Sequence, residues 1–184
     1  MTDLNNIISE CQVGNKQAYE LLYKKFYRIL YGIAMRYCRT TFEADDILQE
    51  SFIKIFENIK KYTPNGSFEG WMKRIVQNTA INHYRSNLKF NLNSDITNEE
   101  YDLDDGSFES IFDTIETKEI INLLNQMPEG YRLVINLYCI DGYSHKQISE
   151  ILNITVGTSK SQLFKAKEYL KKTIRTQLKM QIHE

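Results

Sequence analysis

Several residue types are scarce in this chain. Its 184 residues include two prolines, one tryptophan, three cysteines and three histidines. Cys11, Cys38 and Cys139 are scattered with no C-x-x-C pair, and His83, His145 and His183 are equally dispersed. That spacing argues against a disulfide framework or a metal site, and no cofactor is expected. Two prolines leave no room for a Pro-rich linker. No apolar run approaches the roughly 18 residues of a membrane span, and the N-terminus lacks the apolar stretch of a signal peptide. A soluble, cytoplasmic protein of a reducing compartment, without stable membrane insertion, is therefore expected. Paired carboxylates, a nucleophile with its base and a Gly-rich phosphate loop are also missing, so no enzyme and no small-molecule substrate are expected.

One further absence is local. Between Asn91 and Thr117 there is no lysine or arginine, while nine acidic residues give that stretch a charge of −9. The segments on either side, Met1–Phe90 and Lys118–Glu184, each carry +4, although the whole chain is only −1. Two basic segments divided by an acidic strap suit a nucleic-acid partner better than the net charge suggests. The strap has little apolar periodicity and reads as an extended or disordered linker.

What is present is helical periodicity. An apolar content of 42% is enough for folded cores. The clearest signals lie between Asp141 and Lys172. Ser144 and Gln147 form a capping box that starts a helix, and Ile148, Ile151 and Leu152 give it one apolar face. Asn153 suits the left-handed residue that ends a helix. Thr155 caps a second helix with Leu163, Ala166 and Leu170 on its inner stripe. Its other face carries Lys160, Ser161, Phe164, Lys165 and Lys167. A capped helix with a basic, hydroxyl-bearing face, crossed by a short partner, is the form that enters a DNA major groove. An ordinary helical hairpin with solvated lysines shares the same spacing.

The first half reads as all-helical. Leu4–Cys11 is a short helix, and Asn15–Arg39 a long one with Leu22, Phe26, Ile29, Ile33 and Tyr37 as its core stripe. In Glu43–Lys60 the stripe Ala44, Ile47, Leu48, Phe52, Ile55, Phe56 and Ile59 is core. Asp46, Gln49, Glu50 and Ile53 occupy a different face at i, i+3, i+4 and i+7. A docking patch for a basic partner and a solvated face with a stray isoleucine both fit that pattern. Pro64 and Gly66 fix a loop, after which Ser67 caps a helix over Phe68–Arg85. There Phe68, Trp71, Met72, Ile75 and Thr79 face inward, and Lys73, Arg74, Gln77, Asn78, Asn82 and Arg85 form a polar rim. Basic side chains track phosphates and amides read base edges, but a solvated rim has the same composition; Phe68 and Trp71 beside it suit core packing, with stacking on unpaired bases as the alternative. Helical spacing resumes at Ile111–Leu124, breaks at Met127-Pro128, and continues in Tyr131–Ile140 with Tyr131, Val134, Ile135 and Tyr138 inward.

The order of these stretches resembles the sigma-70 family of RNA polymerase sigma factors. D-D-I-L-Q-E-S-F at 45–52 resembles its polymerase-binding signature, and F-E-G-W-M-K-R-I-V-Q-N-T-A-I-N at 68–82 its promoter −10 segment. The stretch at 127–144, followed by G-T-S-K-S-Q-L-F-K-A-K, is similar to its −35 domain. A short chain with only these two domains points to the extracytoplasmic-function group. The resemblance implies an all-α protein of two small helical domains, at 1–90 and 113–184, joined by an acidic linker at 91–112.

It also implies roles. Asp45, Asp46, Gln49, Glu50 and Ile53 are expected to dock on core RNA polymerase. Tyr62, Asn65 and Ser67 of the loop, with Asn78, are expected to handle a base flipped from the −10 strand of promoter DNA, while Arg74 and Arg85 hold its backbone. Thr158, Lys160, Ser161, Phe164 and Lys165 are expected to read the −35 groove. The acidic linker is expected to thread a basic channel of the polymerase, and an anti-sigma factor is an expected further partner. Two positions depart from the family pattern. Ser159 stands where an aliphatic residue is usual, its hydroxyl expected to bond back to the Thr155 carbonyl, and Gln162 replaces a usual arginine that contacts phosphate. The alternative is a two-domain helix-turn-helix regulator that binds DNA without core polymerase.

Overall fold

The computed structural model describes residues 3–88 and 117–181. The chain divides into two compact units, Met1–Asn87 and Leu88–Glu184. Every regular element among the described residues is helical. The linker expected at 91–112 and the start of the helical spacing at Ile111 lie outside the described residues.

In the first unit α1 (Leu4–Gln12), α2 (Lys16–Tyr37), α3 (Thr41–Asn58) and α4 (Phe68–Leu88) follow one another, with a 3-10 turn at Ile59–Lys61. Local chemistry sets the starts. Asn15 accepts from the Gln17 and Ala18 amides at 2.9 and 3.4 Å, satisfying donors that α2 itself cannot. Thr40 Oγ1 accepts from the Glu43 amide at 3.2 Å and caps α3, while the Glu43 carboxylate reaches past the cap to accept from the Arg39 amide at 2.9 Å. The core forms from Leu22, Phe26, Leu30 and Ile33 of α2, Ala44, Ile47, Leu48, Phe52 and Ile55 of α3, and Met72 and Val76 of α4. Full burial of each large apolar side chain contributes about 1.5–3 kcal/mol. The expected α2 stripe is off by one residue at its centre. Ile29 is 41% exposed and Leu30 is buried, because Leu22, Phe26, Leu30, Ile33 and Tyr37 keep the i+3/i+4 rhythm.

The second unit contains α5 (Thr117–Asn125), α6 (Glu129–Ile135), α7 (His145–Leu152) and α8 (Val156–Gln181). Pro128 ends one helix and opens the next, as its missing amide and fixed φ favour. The helix expected to run unbroken through Tyr131–Ile140 does not. From Asn136 to Ile140 it widens into a π-helical turn, closed by the Asp141 amide donating to the Asn136 carbonyl at 2.9 Å. The extra residue rotates the register. Asn136 and Leu137 are buried, whereas Tyr138, expected inward, is 39% exposed.

The helix-turn-helix forms as its caps dictate. Ser144 Oγ accepts from the Gln147 amide at 3.3 Å and Gln147 Oε1 accepts from the Ser144 amide at 2.9 Å. Asn153 takes the left-handed conformation, φ 55 and ψ 47, and Thr155 Oγ1 accepts from the Thr158 amide at 2.9 Å. Leu163, Ala166 and Leu170 are buried. The Tyr169 hydroxyl donates to the Gln126 carbonyl at 2.9 Å, tying α8 to the turn before α6.

Candidate nucleic-acid interface and an acidic docking face

On α3, Asp46, Gln49, Glu50 and Ile53 are all exposed, Ile53 at 58%. Asp45 differs: it is half-buried toward α2. The Tyr23 hydroxyl there titrates above its ordinary value, first through burial and then through Tyr27 and the Asp45 charge. Glu50 pairs with Lys54 at 2.6 Å, and Lys54 also donates to Thr79 Oγ1 at 3.2 Å. The outer face is therefore acidic with one apolar member. Its carboxylates would repel phosphate, which suits a protein surface rather than DNA.

A second feature lies at the start of α4. The loop before it and the first turns of the helix enclose a pocket of about 360 Å³. Tyr62, Asn65, Ser67 and Arg74 line it, as do Lys61 and Trp71. Trp71 was expected inward with Phe68. Phe68 is buried, but Trp71 is only half-buried and forms a pocket wall. The rings of Tyr62 and Phe68 lie 4.9 Å apart, Phe68 and Trp71 5.3 Å, and Tyr62 and Trp71 5.1 Å. The loop is held from below by Gln12 Nε2, which donates to the Ile59 and Tyr62 carbonyls at 3.2 Å each. Ser67 Oγ accepts from the Gly70 amide at 2.9 Å, giving the cap expected for α4. Aromatic walls with a lysine and an arginine at the rim can stack an unpaired base and hold its phosphate. Asn78 and Arg85 share the helix face of Arg74 but do not line the pocket. Lys73 of the rim is paired with Glu69 at 2.6 Å.

The third feature is the outer face of α8. Lys160 is exposed, and Thr158, Phe164 and Lys165 are half-buried. Ser161 is not part of the open surface. It is 4% exposed, and its hydroxyl donates back to the Thr158 carbonyl at 3.1 Å, so it is engaged within the helix. Ser159 is buried as expected, but its hydroxyl does not return to Thr155. The backbone amide of Ser159 makes that contact, at 3.0 Å, while Ser159 Oγ lies 2.9 Å from His145 Nδ1. Burial, then the charges of Lys160 and Lys167, hold the His145 imidazole below its ordinary pKa. Gln162 also turns toward α6. Its amide lies against Gly130 of α6, where an added Cβ would stand 3.0 Å from Gln162 Nε2.

Among the described residues no three His, Cys, Asp or Glu side chains gather as a metal site, and no helix is long and apolar enough to cross a membrane.

An aromatic-walled pocket lined by Lys61 and Arg74 on one helical unit, and a capped helix-turn-helix on the other, place the chain among all-α proteins of two helical domains. The sigma-70 region 2 family matches residues 22–89, and the sigma-70 region 4 family matches residues 117–170. The RNA polymerase sigma-H factor of Pseudomonas aeruginosa is 29% identical over 183 residues, 94% of either chain. The ECF RNA polymerase sigma factor SigW of Bacillus subtilis is 31% identical over 179 residues, 91% of this chain and 95% of that one. Among solved structures, the sigma factor RpoE of Bartonella quintana in complex with the anti-sigma factor NepR is 16% identical, with a TM-score of 0.48 over 85% of this chain and 96% of that one. The chain belongs to the sigma-70 family, in its extracytoplasmic-function group. It is a transcription initiation factor that works with RNA polymerase.

Proposed function

We propose that the three surfaces divide the work of initiation. The α3 face of Asp46, Gln49, Glu50 and Ile53, with Asp45 at its edge, docks on core polymerase. The pocket of Tyr62, Asn65, Ser67 and Arg74 takes an unpaired base of the −10 strand. Asn78 and Arg85 continue that track along α4. Thr158, Lys160, Phe164 and Lys165 meet the −35 groove, with Ser161 acting only through the helix backbone. An anti-sigma factor masks one or more of these surfaces until a signal arrives. The protein works in the cytoplasm and performs no chemistry of its own.

The observation that carries this reading is the pocket. Tyr62 and Trp71 offer ring faces, and Lys61 and Arg74 offer cations within one concavity. A duplex reader has no use for such a pocket, because stacked bases cannot enter it; a protein that captures an unpaired base does. Run-off transcription on genomic fragments, with core polymerase alone, the chain alone and the two together, tests it. Discrete transcripts are expected only from the combination. Specific, tight duplex retention by the chain alone, with no new transcript from the combination, would overturn it.

A further inference from the structure

Ser159 and His145 do not take part in the division of surfaces proposed above, yet they form a polar contact of 2.9 Å between the two helices of the helix-turn-helix. Ser159 is fully buried on the inner stripe of α8. Its hydroxyl meets His145 Nδ1 at 2.9 Å, across fourteen residues of sequence. His145 is the first residue of α7, and its ring also stacks on Tyr138 at 4.5 Å with an interplanar angle of 23°. Tyr138 is available there because the π-helical turn has rotated it out of the core. One imidazole thus touches the π-helical turn, belongs to α7, and bonds α8.

The location gives this contact its consequence. Ser159 lies between Thr158 and Lys160, two residues proposed to meet DNA. A buried hydroxyl accepts a partner only within narrow distance and angle limits, whereas apolar packing at the same point tolerates sliding. A directional bond at the start of α8 therefore fixes the pitch and rotation of that helix against α7. An error there is carried directly to the side chains on either side.

We propose that His145 is a positioning residue for the −35 reader, holding the start of α8 in register through Ser159 and Tyr138. The proposal rests on α8 being the −35 reader. Burial, then the charges of Lys160 and Lys167 on α8, disfavour a charge on the ring, and a neutral imidazole can pair with the Ser159 hydroxyl through Nδ1 in either tautomer.

The test uses full-length chain with core polymerase, on a genomic promoter fragment that the wild-type holoenzyme transcribes, prepared with its −35 element intact or scrambled. The ratio of open complexes on the two fragments measures −35 reading. His145→Ala and Ser159→Val should each lower that ratio about fivefold, and the double variant should lower it no further, because both remove one shared bond. His145→Gln, whose amide can still meet the hydroxyl, should recover most of the ratio. Ser159→Val should also move the imidazole nitrogen NMR signals of His145. Lys160→Ala serves as the control for the underlying reading. If it lowers the ratio while both single variants leave it intact, or if their effects add in the double variant, the positioning role is wrong and the −35 assignment stands. If Lys160→Ala has no effect, the −35 assignment fails and takes this proposal with it.

Discussion

The Trp71 ring lies 5.1 Å from the Tyr62 ring and is tilted 48° to it, and both line the pocket that holds Arg74. In the proposed role the three groups would recognise different things. Rings stack on any base, whereas a guanidinium holds phosphate. Trp71→Ala should therefore cost about 1–3 kcal/mol in binding of a −10 single strand. Arg74→Ala should weaken binding about equally for all −10 sequences and lower the salt slope by about one. Fluorescence anisotropy of the holoenzyme on strands that differ at one base, at several salt concentrations, separates the two. A change in base preference on Arg74→Ala would refute the backbone role.

Gly66 allows a prediction about the loop itself. Its φ is +111, and a Cβ built there meets nothing within 4 Å. Any penalty for Gly66→Ala is therefore backbone strain rather than a clash, about 1–3 kcal/mol. The Tyr62 hydroxyl reaches the Gly66 carbonyl at 3.4 Å, so the strain acts at the pocket mouth. A lower melting temperature together with weaker −10 binding is expected. An unchanged melting temperature would mean that the loop relaxes freely.

Much of the helix-turn-helix was legible because its instructions are local. Ser144, Gln147, Asn153 and Thr155 each act within three or four residues, and each does what its chemistry predicts. Three features were not legible, for different reasons. The π-helical turn adds one residue to a helix without any change in composition, so Tyr138 was assigned to the wrong face. The Ser159–His145 bond joins positions fourteen residues apart, where helical periodicity carries no information. Trp71 shares the spacing of the α4 core, and only the neighbouring Tyr62 loop makes it a pocket wall. The docking and rim roles rest on family resemblance and stand as proposals, since their residue types equally fit a solvated surface.

His145 makes stability depend on pH. Its pKa in the folded chain is below the ordinary 6.5, through burial and the Lys160 and Lys167 charges, with Tyr138 stacked on its ring. The unfolded chain then binds the proton more readily than the folded one. Stability rises with pH through the window from the folded pKa to about 6.5, and is lost as pH falls through it. Between about pH 7.5 and about pH 5.5 the melting temperature of the wild type should fall by more than that of His145→Gln, which cannot take up this proton. Equal falls would show that the imidazole does not contribute.

The acidic stretch at 91–117 allows a test of its charge. Asp102, Asp104 and Asp105 lie outside the described residues, and nine acids without a base form a strong local field in so short a segment. Their change to Asn should leave the melting temperature alone and lower transcript yield. Unchanged yield with an unchanged open-complex lifetime would leave the charge with solubility only.

The α3 face gives the sharpest prediction, because its energetics separate folding from binding. Glu50 is held by Lys54 at 2.6 Å, and Lys54 is also bonded to Thr79 of α4. An exposed i,i+4 pair of this kind contributes only about 0.3–0.5 kcal/mol, and Ile53 is more than half exposed. Neither Glu50→Lys nor Ile53→Ala should therefore move the helical circular-dichroism signal or the melting temperature appreciably. Binding to core polymerase should respond strongly. Glu50→Lys reverses a charge that would orient a basic partner, and Ile53→Ala removes apolar area that such a partner would bury. Each should weaken binding by at least about 1.4 kcal/mol, or tenfold. The two differ in their response to salt. The loss with Glu50→Lys should shrink as ionic strength rises, whereas the loss with Ile53→Ala should persist. Titration of labelled chain with core polymerase at two salt concentrations measures both. Wild-type affinity in both variants would make this face ordinary solvated surface and place the polymerase contact elsewhere on the chain.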